Sequence, residues 1–477
     1  MMESLAPSSL FLYNTETRKK EKIVPLDGKT IRMYTCGPTI YDFAHIGNLR
    51  TYLFEDLLRR TIQFFGWPVE QVMNLTDVDD KTIRGAMEKE IPLKSYTEPF
   101  RIAFFEDLST LNIQKIEHYP AATDYIPEMI HMIEKLLEKK CAYKSFNGSI
   151  YFSIRHFSTY GRLSHLNMEN LLPNASGDNE ADEYDKENMA DFVLWKAYDP
   201  KRDGEIFWES PFGPGRPGWH IECSAMAMKL LGSSIDIHCG GVDNIFPHHE
   251  NEIAQSECYS GRQFARYWLH SEHLLVEHKK MSKSKGNFYT LRDLMQKGYT
   301  GPEVRYLLLS SHYRTQLNFT FPGLDGARAA LMRFADFIDR LKGIRKEAVY
   351  DLVSSALEEA DQKFKTALAD DLNISVALAA LFDLVRELNI LADEEKISHM
   401  EAECALEQLE EWDRVLGVLP LHRKEEAPPA LQKLLEKREV ARREKNFRLS
   451  DEIRDQILAS GYLIEDTPYG ARLKRKG

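Results

Sequence analysis

The stretch Met33-Tyr34-Thr35-Cys36-Gly37-Pro38-Thr39-Ile40-Tyr41-Asp42-Phe43-Ala44-His45-Ile46-Gly47-Asn48 constrains this chain more than any other. Ile31 to Thr35 is β-favouring, Gly37-Pro38 is a turn, and Leu49, Tyr52, Leu53, Leu57, Leu58 and Ile62 recur at helical spacing before Gly66 and Pro68 stop the pattern. The expectation is strand, turn, helix, with His45 and Asn48 where the helix begins. Unpaired N–H groups and the positive dipole end suit that place to a phosphate. A second apolar strand, Val69 to Leu75, ends in Thr76-Asp77-Val78-Asp79-Asp80. Strand, helix, strand predicts a right-handed βαβ unit with ligands at the carboxyl ends of its strands. The acidic cluster then lies at that edge, either as a polar turn capping the next helix or as a substrate contact.

A chain of 477 residues, 43% hydrophobic and 29% charged, holds several domains and a sizeable core. Residues 1–13 show no basic, then apolar, leader pattern, and no apolar run is long enough for a membrane span. Six cysteines in no regular framework favour free or metal-bound thiols in a reducing cytoplasm. A net charge of −12 argues against a chain wrapped in nucleic acid but leaves room for a local basic face.

Glu98 to Lys140 is helical in pattern, Ala142 to Phe157 suits two short strands about Asn147-Gly148, and Pro173 to Asn188 reads as an acidic surface loop. We read 119–206 as an insertion that splits a nucleotide-binding domain into 1–118 and 207–320. Gly213 to Gly218 formally matches GxGxxG, but no strand leads straight into it and two prolines occupy it, so it reads as a rigid turn. It feeds a helical run from Trp219 to Leu231 that puts Trp219 and Cys223 on one face. Trp219 is then either core or the wall of a small pocket. A further strand from Ile235 runs into Gly240-Gly241, and Pro247 is expected to start a helix on which His248 and Glu252 point the same way and Glu250 elsewhere. Cys36, Cys223, His248 and Glu252 thereby become available as a borderline-soft ligand set that suits zinc. With no CxxC pair the fold itself has to assemble them; otherwise they are buried free cysteines and an N-terminal helical histidine. His278 to Asn287, with its four lysines, is a basic loop that either faces solvent or brings positive charge to ATP phosphates.

His45-Ile46-Gly47-Asn48 and Lys280-Met281-Ser282-Lys283-Ser284 resemble the paired signatures of class I aminoacyl-tRNA synthetases. Tyr34 to Thr39, Gly218 to Ser224 and Phe246 to Glu252 resemble the cysteinyl-tRNA synthetase family in particular, and the likeness runs from about Phe11 to the end. Two positions depart from the pattern: Asn48 where histidine is common, and Cys239 where the family has glycine. Asparagine still donates a hydrogen bond, whereas Cys239 adds a thiol near the ligand set. The resemblance implies an α/β fold, with a Rossmann-type parallel-sheet catalytic domain, an inserted connective domain, an α-helical bundle and a small C-terminal domain. It implies activation of L-cysteine with Mg-ATP and transfer to the 3′ end of tRNA(Cys), by a monomer in the cytoplasm. His45, Gly47 and Asn48 would hold the ATP phosphates, Lys280 and Lys283 would stabilise the transition state, and Trp219 and Thr76 would bind substrate. Zinc on Cys36, Cys223, His248 and Glu252 would read the substrate thiolate, the sulfur entering as an additional ligand. Shape alone separates cysteine from serine by only about 1–3 kcal/mol, so a metal reader makes an editing domain unnecessary, in keeping with the short insertion.

Beyond Thr320, helical repeats over 321–424 predict a bundle, and Asp370 to Ser375 reads as an N-cap or as a tRNA-contacting helix start. Residues 425–477 form a small basic unit after a Pro-Pro linker. From Leu431 on, twelve Lys or Arg face eight Asp or Glu, a surplus that attracts RNA and that the family uses at the anticodon. A cysteine ligase acting on an amino sugar would not need this unit, and a non-catalytic RNA-binding relative would have lost ligands or lysines.

Overall fold

The computed structural model describes residues 9–166, 178–179, 191–282, 286–347, 351–421, 429–467 and 470–475. At its centre four parallel strands run in the order Ala265–Ser271, Ile235–Gly241, Ile31–Thr35, Val69–Met73. Met33 pairs with Ile237, so strands from either side of the insertion are direct neighbours. The order reverses at Ile31–Thr35, and a doubly wound sheet opens its ligand crevice at such a point. All four strands end at the same rim, where Cys36, Asn74, Gly241 and Glu272 stand.

Helix α1 (Ile46–Phe64) lies on the sheet with nearly every side chain buried, including Glu55, Asp56, Arg59 and Arg60. His45 is its N-cap: Nδ1 accepts from the Gly47 and Asn48 N–H groups at 3.1 and 3.2 Å, and Asn48 Oδ1 accepts from the His45 N–H at 3.2 Å. Two orphan donors of the first turn are thus satisfied reciprocally with the cap. At Gly37, just past the strand, a Cβ would stand 1.8 Å from the Asn74 carbonyl, so only glycine lets the two loops pass.

The insertion carries helix Ile126–Glu138 and strands Ala142–Lys144, Ile150–Phe152 and Asp191–Ala197 of a mostly antiparallel sheet, which Asp178–Asn179 joins in parallel and Gly215–Pro217, from beyond residue 206, joins antiparallel. The glycine-rich turn therefore includes a strand, held by pairing of Trp195 with Pro217. Glu98 to Lys140 is not one helical run: helix Leu93–Thr110 ends, Asn112 is left-handed, and the chain bridges to the sheet edge at His118 and Ala121 before Ile126. Helices Phe321–Gly343, Val353–Ala369, Ile374–Asp393 and His399–Leu416 make the bundle, and their apolar faces continue the catalytic core. Helices Pro429–Arg443 and Phe447–Ala459 and a terminal hairpin share a separate small cluster of Leu431, Ile453 and Ile457. Arg438 is buried there beside Glu439, while Arg448 is exposed. Of the expected acidic loop, 173–177 and 180–188 lie outside the described residues, as do the Pro428 linker and Lys476. Among the described residues no helix is long and apolar enough to cross a membrane.

Candidate active site

Two adjoining cavities open at the rim of the sheet. One, of about 280 Å³, is lined by Cys36, Thr39, Lys81 and Trp219; the other, of about 610 Å³, by Gly47, Leu274, Lys280 and Met281. Tyr41, His45, Asn48, Thr51, Gly241, Asp243 and Phe288 form the wall between them. With Nδ1 accepting in the cap, the neutral His45 ring carries its proton on Nε2, as a donor. The Asn48 amide oxygen closes the cap and leaves the NH₂ as donor. Asparagine thus fills the position structurally as well as chemically. A Cβ on Gly47 would meet the His45 ring at 2.9 Å and Met281 at 3.1 Å. Lys280 is exposed at the mouth of the larger cavity; Lys283, expected beside it, lies outside the described residues.

At the floor of the smaller cavity the ligand atoms of Cys36, Cys223, His248 and Glu252 all lie within 4.8 Å of one another, all buried. Cys36 ends a strand, Cys223 sits one turn into helix Trp219–Leu231, and His248 is in the wide turn Ile245–His249 that precedes helix Glu250–Ser260. The helix expected at Pro247 thus begins three residues later. The i,i+4 geometry survives: His248 Nε2 is 3.1 Å from Glu252. Glu250 does point elsewhere, accepting from Gly161 and Ser164 at 2.8 Å. Trp219 walls the cavity and stacks on His248 with ring centres 4.0 Å apart. Thr76 lines neither cavity; its hydroxyl donates to Glu222 at 3.1 Å.

The cluster is strongly polarised. Burial alone would keep His248 neutral, but the Glu252 carboxylate and the Cys223 sulfur outweigh it and raise the imidazole to about 10. Burial likewise opposes the Glu252 charge, and His238 and His248 overcome it, bringing the carboxyl to about 2. Cys223, despite burial, falls to about 6 through hydrogen bonding with Cys36 and the nearby His248, whereas burial pushes Cys36 well above the ordinary thiol range. Two sulfurs, an imidazole and a carboxylate make a donor set of zinc-binding type.

Spacing alone did not reveal the histidines behind these ligands. His238 Nε2 is 2.9 Å from Glu252, His220 Nδ1 is 2.9 Å from His248 Nδ1, and His249 Nε2 is 3.3 Å from the Cys36 sulfur. His249 continues to His270 at 2.8 Å, and burial holds both well below the usual imidazole range, His270 at about 3. Cys36, His238, His249 and Glu252 form a second ligand-like group sharing two members with the first. Strand alternation was the available signal: His238 faces the cluster and Cys239 the opposite side of the sheet. Cys239 packs with α1 and stands in neither group.

A parallel sheet split by an insertion, a histidine-capped helix at its switch point and a lysine strand beside it are the arrangement that the class I aminoacyl-tRNA synthetase resemblance implies, and likeness to known proteins bears the class out. Residues 22–329 match the family of tRNA synthetases class I (C) catalytic domains, and residues 363–420 match the DALR domain family. The fold is shared with Mycobacterium tuberculosis methionyl-tRNA synthetase in complex with methionyl-adenylate (TM-score 0.56, 13% identity, 82% of this chain and 88% of that one). A putative arginyl-tRNA synthetase from Campylobacter jejuni is similar to the same degree (TM-score 0.55, 14% identity, 82% and 93%). Proteins named Cysteine--tRNA ligase from Protochlamydia amoebophila and Chlamydia pneumoniae are 61% and 56% identical, each over 98% of both chains. The chain belongs to the cysteine–tRNA ligase family.

Proposed function

We infer that this chain activates L-cysteine with Mg-ATP, releasing pyrophosphate and forming cysteinyl-adenylate, and then transfers the cysteinyl group to the 3′ end of tRNA(Cys). The observation that carries this reading is the shared wall: a ligand cluster of two sulfurs, an imidazole and a carboxylate lies on one side of His45 and Asn48, and a cavity reached by Lys280 and the N-terminus of α1 on the other. The attacking nucleophile is the substrate's own carboxylate, so the protein need only position it and stabilise charge. The His45 Nε2–H, the Asn48 amide and the N-terminus of α1 hold the phosphates, and Gly47 lets the nucleotide approach the backbone. Lys280, with Lys283, stabilises negative charge on the departing pyrophosphate. Trp219 closes the cysteine side, and Thr76, outside both cavities, is proposed only to steady the start of helix Trp219–Leu231 through Glu222. Zinc, held by Cys36, Cys223, His248 and Glu252, supplies a charge that favours thiolate over hydroxyl. The family resemblance supports a cytoplasmic monomer. It also supports a division of the chain at 118, 206, 320 and 424, with the bundle and basic end on tRNA.

Pyrophosphate exchange into ATP tests this. Exchange driven by cysteine but not serine, and lost on metal removal, is the expected outcome. Exchange with neither amino acid sinks the catalytic reading, and metal-independent exchange demotes the cluster to a structural role. An amino-sugar ligase is disfavoured by the DALR match and by the full-length likeness to tRNA ligases. A non-catalytic relative is disfavoured by the intact ligand cluster.

A further inference from the structure

Two residues past Asn48, Arg50 is buried, and its guanidinium donates to three backbone carbonyls: His273 at 2.9 Å, His312 at 3.3 Å and Thr315. The turn His312–Thr315 is therefore pinned to α1. Phe54, one turn further along α1, stacks on Tyr313 with ring centres 4.4 Å apart. The other side of the same turn is pinned to the bundle. Asp371, between helices Val353–Ala369 and Ile374–Asp393, is fully buried and held at φ +63°. Its carboxylate accepts from the Tyr313 hydroxyl at 2.6 Å, from Arg314 Nε at 2.8 Å and from the Tyr13 N–H at 2.9 Å. Its carbonyl accepts from the His312 ring at 2.8 Å, and its N–H donates to the Phe11 carbonyl at 2.9 Å. Backbone carbonyls of the turn serve Arg50, and its side chains serve Asp371.

We propose that the turn His312–Thr315 couples the bundle to helix α1, with Arg50 and Asp371 as positioning residues on its two sides, so that the seating of tRNA on the bundle is conveyed to His45 and Asn48. This rests on the synthetase reading. Arg50, Tyr313 and Asp371 are the buried members of this network, with His312 and Arg314 at its edge, and it resists small displacements because loosening a buried member strands a desolvated group. It therefore transmits the position of one element to the next rather than absorbing it. Activation of cysteine uses the two cavities at the rim of the sheet and needs no tRNA; transfer needs the tRNA end, carried by the bundle, brought to the adenylate. The two steps should therefore separate when the coupling is cut.

The experiment compares pyrophosphate exchange with tRNA charging in the full-length, metal-loaded enzyme. Asp371→Asn should leave exchange within about twofold while kcat for charging at saturating tRNA falls about tenfold, within the usual range of site-to-site coupling. Tyr313→Phe, which removes one hydroxyl and keeps the ring stack, should shift the same ratio less, and it decides the matter if Asp371→Asn does not fold. In a double-mutant cycle on charging, Asp371→Asn with Arg50→Gln should cost clearly less than the product of the two single losses, as expected for residues acting through one element. Equal loss of exchange and charging, unchanged charging, or losses that multiply overturns the proposal. If unmutated enzyme shows no cysteine-dependent exchange, the synthetase reading fails instead.

Discussion

The two cavities of the site are built in opposite ways. On the cysteine side every ligand is buried, and His220, His238 and His249 contact them from behind at 2.9–3.3 Å. On the phosphate side Lys280 stands exposed on a two-residue strand, and the hydrogen bonds around it run from Asn287 to its carbonyl at 3.3 Å and from the Ser282 N–H to Asn287 at 2.9 Å. Under the proposed reading the contrast follows from the tasks. Telling sulfur from oxygen needs a fixed, dry constellation whose geometry is settled before substrate arrives. Following charge through a reaction needs a cation that can be solvated until the phosphates enter.

Breaking the cysteine side should have the largest effect. Cys223→Ala is expected to lower cysteine-dependent exchange on the order of a thousandfold, since loss of an outer-shell partner alone typically costs about 10–100-fold; metal content measured alongside should fall with it. Next in size is the pH dependence of metal binding. Near pH 7.5 the metal-free cluster carries two protons that ligation displaces, one on Cys36, raised by burial, and one on His248, raised to about 10 by Glu252 and Cys223. Glu252, at about 2, and Cys223, at about 6, are already ionised. Zinc affinity should therefore rise about a hundredfold per pH unit there, with about two protons released per metal, as calorimetry in buffers of different ionisation enthalpy would show. The slope steepens below pH 6, where Cys223 also holds its proton. On the phosphate side Lys280→Ala should lower kcat for exchange by about fiftyfold and leave KM for cysteine unchanged. That is less than the roughly 100–1000-fold expected of a buried donor, because solvent screens an exposed ammonium. A matching rise in KM for cysteine would mean the two sides are not separable. Smallest is Cys239→Ala, which should change metal stoichiometry not at all and exchange by less than about twofold, because its thiol lies across the sheet from the ligands.

What could be read in the sequence follows the same divide. Helix α1, the strand before it and the bundle announce themselves by local periodicity and stop signals; the helical repeats at 323–344, 352–368, 376–392 and 400–416 match the four helices to within two residues at each end. The four cluster residues could be named from their chemistry and from the family likeness, but spacing could not bring them together, because they come from three separate stretches and the pairing of Ile31–Thr35 with Ile235–Gly241 is what places Cys36 near the others. The outer histidines were illegible for a further reason. An imidazole on a buried strand resembles any core polar residue until its partner across the sheet is known. The helix expected through Glu98 to Lys140 failed where an extended segment borrows its hydrogen bonds from the sheet edge, with His118 bonding Gln71 and Ala122 bonding Leu75, a partner that local pattern cannot supply.

The neighbouring strands that split around the insertion also set a timetable for synthesis. Cys36 leaves the ribosome 216 residues before Glu252, an interval of roughly 10–40 s at ordinary elongation rates. During that interval Cys36 has neither the residues it clusters with nor the strand that pairs beside it. The nascent chain must carry an unprotected cysteine until the second half of the sheet arrives, and oxidants present during translation meet this residue before the finished site can shelter it.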